Sequence, residues 1–113
     1  MQSDEGLGSY SSIIRVDAAA LRVFKTMFSS DPGERGKVRW MQLVEAMTKA
    51  GLLAIEASGS AVKFKHNELG SITFHRPHTD VVEPIMLSKM AWRLRGWFGW
   101  NESTFVEQNK DVK

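Results

Sequence analysis

The sequence predicts an α+β two-layer sandwich in the order α-α-β-β-β-α, with a three-stranded antiparallel sheet packed on helices. Three observations carry this. Apolar residues recur at helical spacing in "AAALRVFKTMF", "VRWMQLVEAMTKAGL" and "IMLSKMAWRLRGWFGW". Between the second and third of these the period changes from 3.6 to 2, through "LLAIEA", "AVKFKH" and "SITFH". Short turn clusters, "SGS" and "NELG", divide that stretch into three strands.

Each element has its own signals. "IIRV", from Ile13 to Val16, is β-branched and reads as a short edge strand or an arm. Asp17 is a good N-cap for the first helix, in which Leu21, Phe24 and Phe28 form the apolar stripe, with Arg22, Lys25 and Thr26 opposite. "SSDPGERGK" is a loop. The second helix is expected from Val38, with Trp40, Leu43, Val44 and Met47 inward. Gly51 stands where a left-handed cap is expected, with Lys49 in the last turn. In the strands, Val62, Phe64, Ile72 and Phe74 face the helices, while Lys63, Lys65, Ser71, Thr73 and His75 face water; His66 starts on the side of Phe64. Pro77 holds Arg76 extended, and Pro84 suits the first position of the last helix. That helix directs Leu87, Met90, Ala91, Leu94, Trp97 and Phe98 to one side and ends at Gly99.

The chain of 113 residues is therefore read as a polar N-terminal tail over 1–12, one domain over 13–100 and a C-terminal tail over 101–113, anchored only by Phe105 and Val106. Apolar residues make up 42% and charged residues 25%, an ordinary globular composition. With no cysteine, disulfides, zinc–thiolate sites and a thiol nucleophile are excluded. No apolar run is long enough to span a membrane, and "MQSDEGLGSYSS" lacks the features of a secretory signal. These features suit an intracellular protein, nuclear or cytoplasmic. The net charge of +2 is small, but residues 59–100 hold Lys63, Lys65, Arg76, Lys89, Arg93 and Arg95 against Glu68, Asp80 and Glu83.

The segment from Val38 to Trp100 resembles the HicA-type module, a small fold similar to the double-stranded-RNA-binding domain. The landmarks are "EAMTKAGL", "GSAVKF", "GSITFHRPH" and "LSKMAWRLRGWFGW". A fungal version, from filamentous ascomycetes, is closer still. It shares "DPGERGKVRW", "GSAVKF", "FHRPH" and the final "FGW", over roughly Asp17 to Trp100. The resemblance implies a fungal source. The bacterial toxins of this type are ribonucleases with a histidine directly after the "GS"; here that position is Ala61.

Four chemistries bear on these residues. A metal site needs converging imidazoles and carboxylates. The three histidines, His66, His75 and His78, do not have that spacing, so no metal or other cofactor is expected. A metal-independent ribonuclease would rest on His75 and His78, with Lys63, Lys65 and Arg76 stabilising phosphate. RNA binding would use Lys63, Lys65, Arg76, Lys89, Arg93 and Arg95, with Trp92 for stacking. Protein association would use Trp92, Trp97 and Trp100, since one helix cannot bury Trp92 and Trp97 on the same side, five residues apart. Ile13 and Ile14 would add an exchanged arm in a homodimer, and a free sheet edge would allow strand addition. The expectation from sequence is a non-catalytic accessory protein. It is homodimeric and binds a larger partner, such as an RNA-processing or RNA-modifying enzyme, with RNA as a further ligand. It takes no small-molecule substrate and does not enter a membrane.

Overall fold

The computed structural model describes residues 13–29 and 36–108. Within them the chain forms an α+β fold whose central sheet has three antiparallel strands, β3 (Leu53–Glu56), β4 (Ala61–His66) and β5 (Gly70–His75), in the order β3-β4-β5. Three helices accompany it: α1 (Ala18–Phe28), α2 (Trp40–Lys49) and α3 (Pro84–Phe98). The expected tail over 1–12 and most of the "SSDPGERGK" loop lie outside the described residues. Among the described helices none is long and apolar enough to cross a membrane.

The period-2 alternation sets which side of the sheet is covered. Val62, Phe64, Ile72 and Phe74 are buried, and Lys63, Lys65 and His75 are exposed. The register pairs Phe64 with Ile72 and Val62 with Phe74, so the four side chains form one inward patch. Phe64 sits at its centre, with ring centroids 6.2 Å from Trp40 and 6.0 Å from Phe74. Leu43 and Met47 of α2 and Leu87 and Leu94 of α3 complete this layer, all fully buried. The opposite face of the sheet presents Leu53, Ile55, Lys63 and Lys65.

The helix ends follow their residues. Asp17 Oδ1 accepts from the Ala20 N–H at 2.9 Å, and Asp17 Oδ2 accepts from Lys49 Nζ at 2.6 Å. One carboxylate thus caps α1 and ties its start to the end of α2. The Lys49 ammonium is held above its ordinary value by that hydrogen bond and the charge of Asp17. Pro84 begins α3, and Gly99 ends it at φ 76°, where its N–H returns to the Arg95 carbonyl.

The second helix starts later than its pattern suggests. Val38 and Arg39 form β2, which pairs antiparallel with β6 (Val81–Val82). The Trp40 N–H donates to the Asp80 carbonyl at 2.9 Å, so α2 begins against the exit from β5. Two-residue strands are too short to show alternation, and the helical run after Trp40 hides the change of conformation.

The boundary at Trp100 also moves. Residues 101–107 belong to the fold: a short 3-10 turn (Glu102–Thr104) leads into β7 (Phe105–Glu107), which pairs parallel with β1 (Ile14–Val16). Ile14 sits opposite Phe105, and the Gln108 N–H donates to the Val16 carbonyl at 2.7 Å. The cause is an aromatic cluster. Phe105 stacks on Phe24 with centroids 3.9 Å apart, Trp100 meets Phe105 edge-on at 5.1 Å, and Phe98 lies 4.9 Å from Trp100. Trp100 is accordingly 3% exposed and is core, contrary to the interface role expected for it. β1 is likewise seated within its own chain and not extended as an arm: Ile14 packs against the core, while Ile13, just before the strand, is exposed.

Phe105→Ala would remove the centre of this cluster. The expected loss is about 3–5 kcal/mol of unfolding free energy, read by denaturant melts of the full chain. A loss under about 1 kcal/mol would mean that β7 docks without supporting the core.

Candidate functional site

Apart from Trp100, in the core, and Ile13 and Ile14, at β1, the residues singled out from sequence fall on three separate surfaces. The first is the end of the β4–β5 hairpin where His75 lies. Ser60 Oγ is 3.3 Å from His75 Nδ1. Arg76 points elsewhere: its Nε donates to Asp80 Oδ1 at 2.6 Å. The Arg76 hydrogen bond holds the Asp80 carboxyl below its ordinary range, and Asp80 in turn raises Arg76. Asp80 sits at φ 63°, a left-handed conformation that aspartate tolerates better than most residues. His78 is exposed and makes no hydrogen bond among the described residues. Ser60 and His75 are thus within reach of each other, while the Asp80 carboxylate is committed to Arg76.

His66 is at the other end of the same hairpin, opposite Gly70, while His75 is opposite Ala61. Five residue steps of strand, roughly 17 Å, separate those two ends. The imidazoles therefore do not converge, and no group of three metal-ligating side chains occurs among the described residues. His66 has a structural task instead. Its Nδ1 accepts the backbone N–H groups of Glu68 and Leu69, at 3.0 and 3.1 Å. Those bonds fix the ring proton on Nε2 and brace the hairpin turn. The signal that could have found this is local: a ring acceptor two and three residues before the turn amides.

The second surface is the open side of the sheet. Lys63 and Lys65 project there, paired in register with Ile55 and Leu53 on β3 and with Thr73 and Ser71 on β5. This face combines two cations with an exposed leucine.

The third surface is the outer side of α3. Trp92 is 76% exposed and Ile85 71%, both directly opposite the buried Leu94 and Leu87 stripe. Trp97 is 65% exposed, although its spacing had placed it with the inward set. Its indole instead reaches toward the hairpin: a Cβ built on Gly70 would stand 4.0 Å from Trp97 Nε1. Arg93 is anchored. Its Nη1 donates to the Thr73 carbonyl at 2.8 Å, and its guanidinium carbon lies 5.2 Å above the Phe74 ring. Lys89 and Arg95 are exposed with no ion-pair partner among the described residues. Two shallow apolar depressions flank Trp92. One, of about 480 Å³, is lined by Ile85, Ser88 and Lys89; the other, of about 440 Å³, lies between β5 and the helix, against Ile72, Gly96 and Trp97.

The six basic residues named from sequence are consequently divided. Lys63 and Lys65 are on the open sheet face, Arg76 is paired at the hairpin end, Arg93 is tethered to β5, and Lys89 and Arg95 are on α3. What does come together is Trp92, Trp97 and Ile85 with Lys89, Arg93 and Arg95, on a helix whose fifteen residues contain no acid. Comparison with protein-family models, curated proteins and solved structures gives no match for this chain.

The Arg76–Asp80 pair makes a pH prediction. Because the folded carboxyl is depressed, its contribution to stability is complete above the ordinary carboxyl range. That contribution is lost as pH falls through the lower, folded value. The Asp80 carboxyl signal followed by NMR should titrate below ordinary aspartate, and Arg76→Gln should return it toward the ordinary range. An unchanged midpoint in the variant would show that Arg76 is not the cause.

Proposed function

We propose that the protein is a non-catalytic association module that receives a different protein through the outer face of α3. The observation that carries this reading is Trp92, which stands 76% exposed at the middle of an acid-free helix with apolar depressions on both sides. Burying a tryptophan of that exposure against a partner would remove a large apolar area from water, and tryptophan and arginine are the residues that most often dominate such interfaces. Lys89, Arg93 and Arg95 give the face one sign of charge, which suits an acidic partner. A symmetric dimer through α3 would set the same three cations against their own copies, so the face fits a second kind of chain better than another copy of this one.

RNA binding asks for basic groups along one path. Here Lys63 and Lys65 lie on a different surface from Lys89 and Arg95, which favours the protein partner. The sequence resemblance to a double-stranded-RNA-binding-like module supports an RNA-processing or RNA-modifying enzyme as that partner.

The test is affinity capture from an extract of the producing organism, with and without ribonuclease, comparing the wild type with Trp92→Ala. Captured proteins should survive ribonuclease and be lost from the variant, whose thermal midpoint should stay within about 3 °C of wild type, since the side chain is exposed. Equal capture by the variant, or loss of the captured proteins on ribonuclease treatment, would overturn the reading.

A further inference from the structure

Gly96 is the residue of α3 that the fold does not explain. Gly51, Gly59, Gly70 and Gly99 all adopt positive φ, where a side chain would be strained. Gly96 does not: it lies inside the helix with ordinary backbone, and a Cβ built there meets no atom within 4 Å. Glycine weakens a helix relative to alanine through its extra backbone freedom. That weakening is tolerated here with no packing need among the described residues.

The surroundings of Gly96 suggest what needs it. At about 100° per residue, Gly96 falls between Trp92 and Trp97 around the helix. It is part of the lining of the 440 Å³ depression between those two indoles. β5 lies along this depression and holds one of its lining residues, Arg93, in place. Trp97 reaches toward Gly70, and Arg93 is fixed by the Thr73 carbonyl and the Phe74 ring. One Arg93 donor is used by Thr73, and a guanidinium has five.

We infer that Gly96 is the floor of a receptor cleft that takes one large apolar side chain of an acidic peptide segment. That side chain sits between Trp92 and Trp97, and a neighbouring carboxylate of the segment binds Arg93. Any side chain at position 96 would occupy the floor and lift the incoming group off the helix backbone. The acidic character of the segment follows from Lys89, Arg93 and Arg95 and the absence of acids on α3. This inference rests on the proposed use of α3 as the docking face and specifies its anchor.

The experiment uses the full chain and three short capped peptides: glutamates around one central phenylalanine, the same with alanine at the centre, and lysines around phenylalanine. Binding is followed by NMR shifts of the Gly96 amide and the indole N–H groups of Trp92 and Trp97. The glutamate–phenylalanine peptide should shift all three, and the other two should bind at least about tenfold more weakly. Gly96→Ala should raise the melting temperature by roughly 2–6 °C while weakening that peptide about tenfold. Trp92→Ala should weaken it as well. If Trp92→Ala weakens binding and Gly96→Ala does not, the cleft is wrong while the docking face stands. If neither substitution matters, or no shift appears at millimolar peptide, the cleft and the face both fail. Equal binding of the lysine peptide would overturn the acidic partner, and tighter binding of oligouridine at the same signals would replace it with RNA.

Discussion

The inward patch of the β4–β5 hairpin has to be covered, because Val62, Phe64, Ile72 and Phe74 would otherwise present four large apolar side chains to water from one face of a thin sheet. A three-stranded sheet has room for only a few helices on that face, and α2 and α3 supply Trp40, Leu43, Met47, Leu87 and Leu94 to it. Once α3 has turned Leu87, Met90, Ala91 and Leu94 inward, its geometry leaves Ile85, Lys89, Trp92 and Gly96 facing out. The exposed tryptophan is therefore a consequence of how the sheet is covered. No rotation of the helix buries Trp92 without exposing Leu94.

A second cluster closes the molecule at its ends. Phe24, Phe28, Phe98, Trp100 and Phe105 bring the start of the domain, the end of α3 and the last strand together. The parallel β1–β7 pair contributes few hydrogen bonds on its own, and two short strands are marginal without packing. The aromatic stack supplies that packing. It also separates the roles of the tryptophans clustered at the end of the chain: Trp100 serves the core, while Trp92 and Trp97, on the preceding turns, remain outside it.

Much of this was legible in the sequence. The alternation in "AVKFKH" and "SITFH" identified the inward residues of both strands, and Asp17, Gly51, Pro84 and Gly99 marked the helix ends where they occur. The unreadable parts share a physical cause: each depends on contacts distant in sequence. β2 and β6 are two residues long and exist because Val38 meets Val82 across more than forty positions. β7 looked like a tail because one phenylalanine in a polar stretch gives no period; only its stacking on Phe24 makes it core. Trp97 matched the inward spacing, but near the helix end the hairpin turn offers it a resting place at Gly70. Arg93 looked like a free surface cation until the Thr73 carbonyl, twenty residues earlier, was placed beside it.

That last contact bears on how α3 and β5 act together. In the β4–β5 register, the groups of Ser71, Thr73 and His75 point away from β4, toward an edge that carries no strand among the described residues. An open edge of this kind invites pairing with another chain. Arg93 occupies the Thr73 carbonyl, at the middle of that edge, and rests on Phe74, so the edge is blunted by a side chain of the same helix that displays Trp92. The contact covers the middle of the β5 edge and holds the guanidinium in the depression that Trp92 and Gly96 also line. That contact lasts only while α3 keeps its register against the inward patch of the sheet, because the same helix that positions Arg93 buries Leu87 and Leu94.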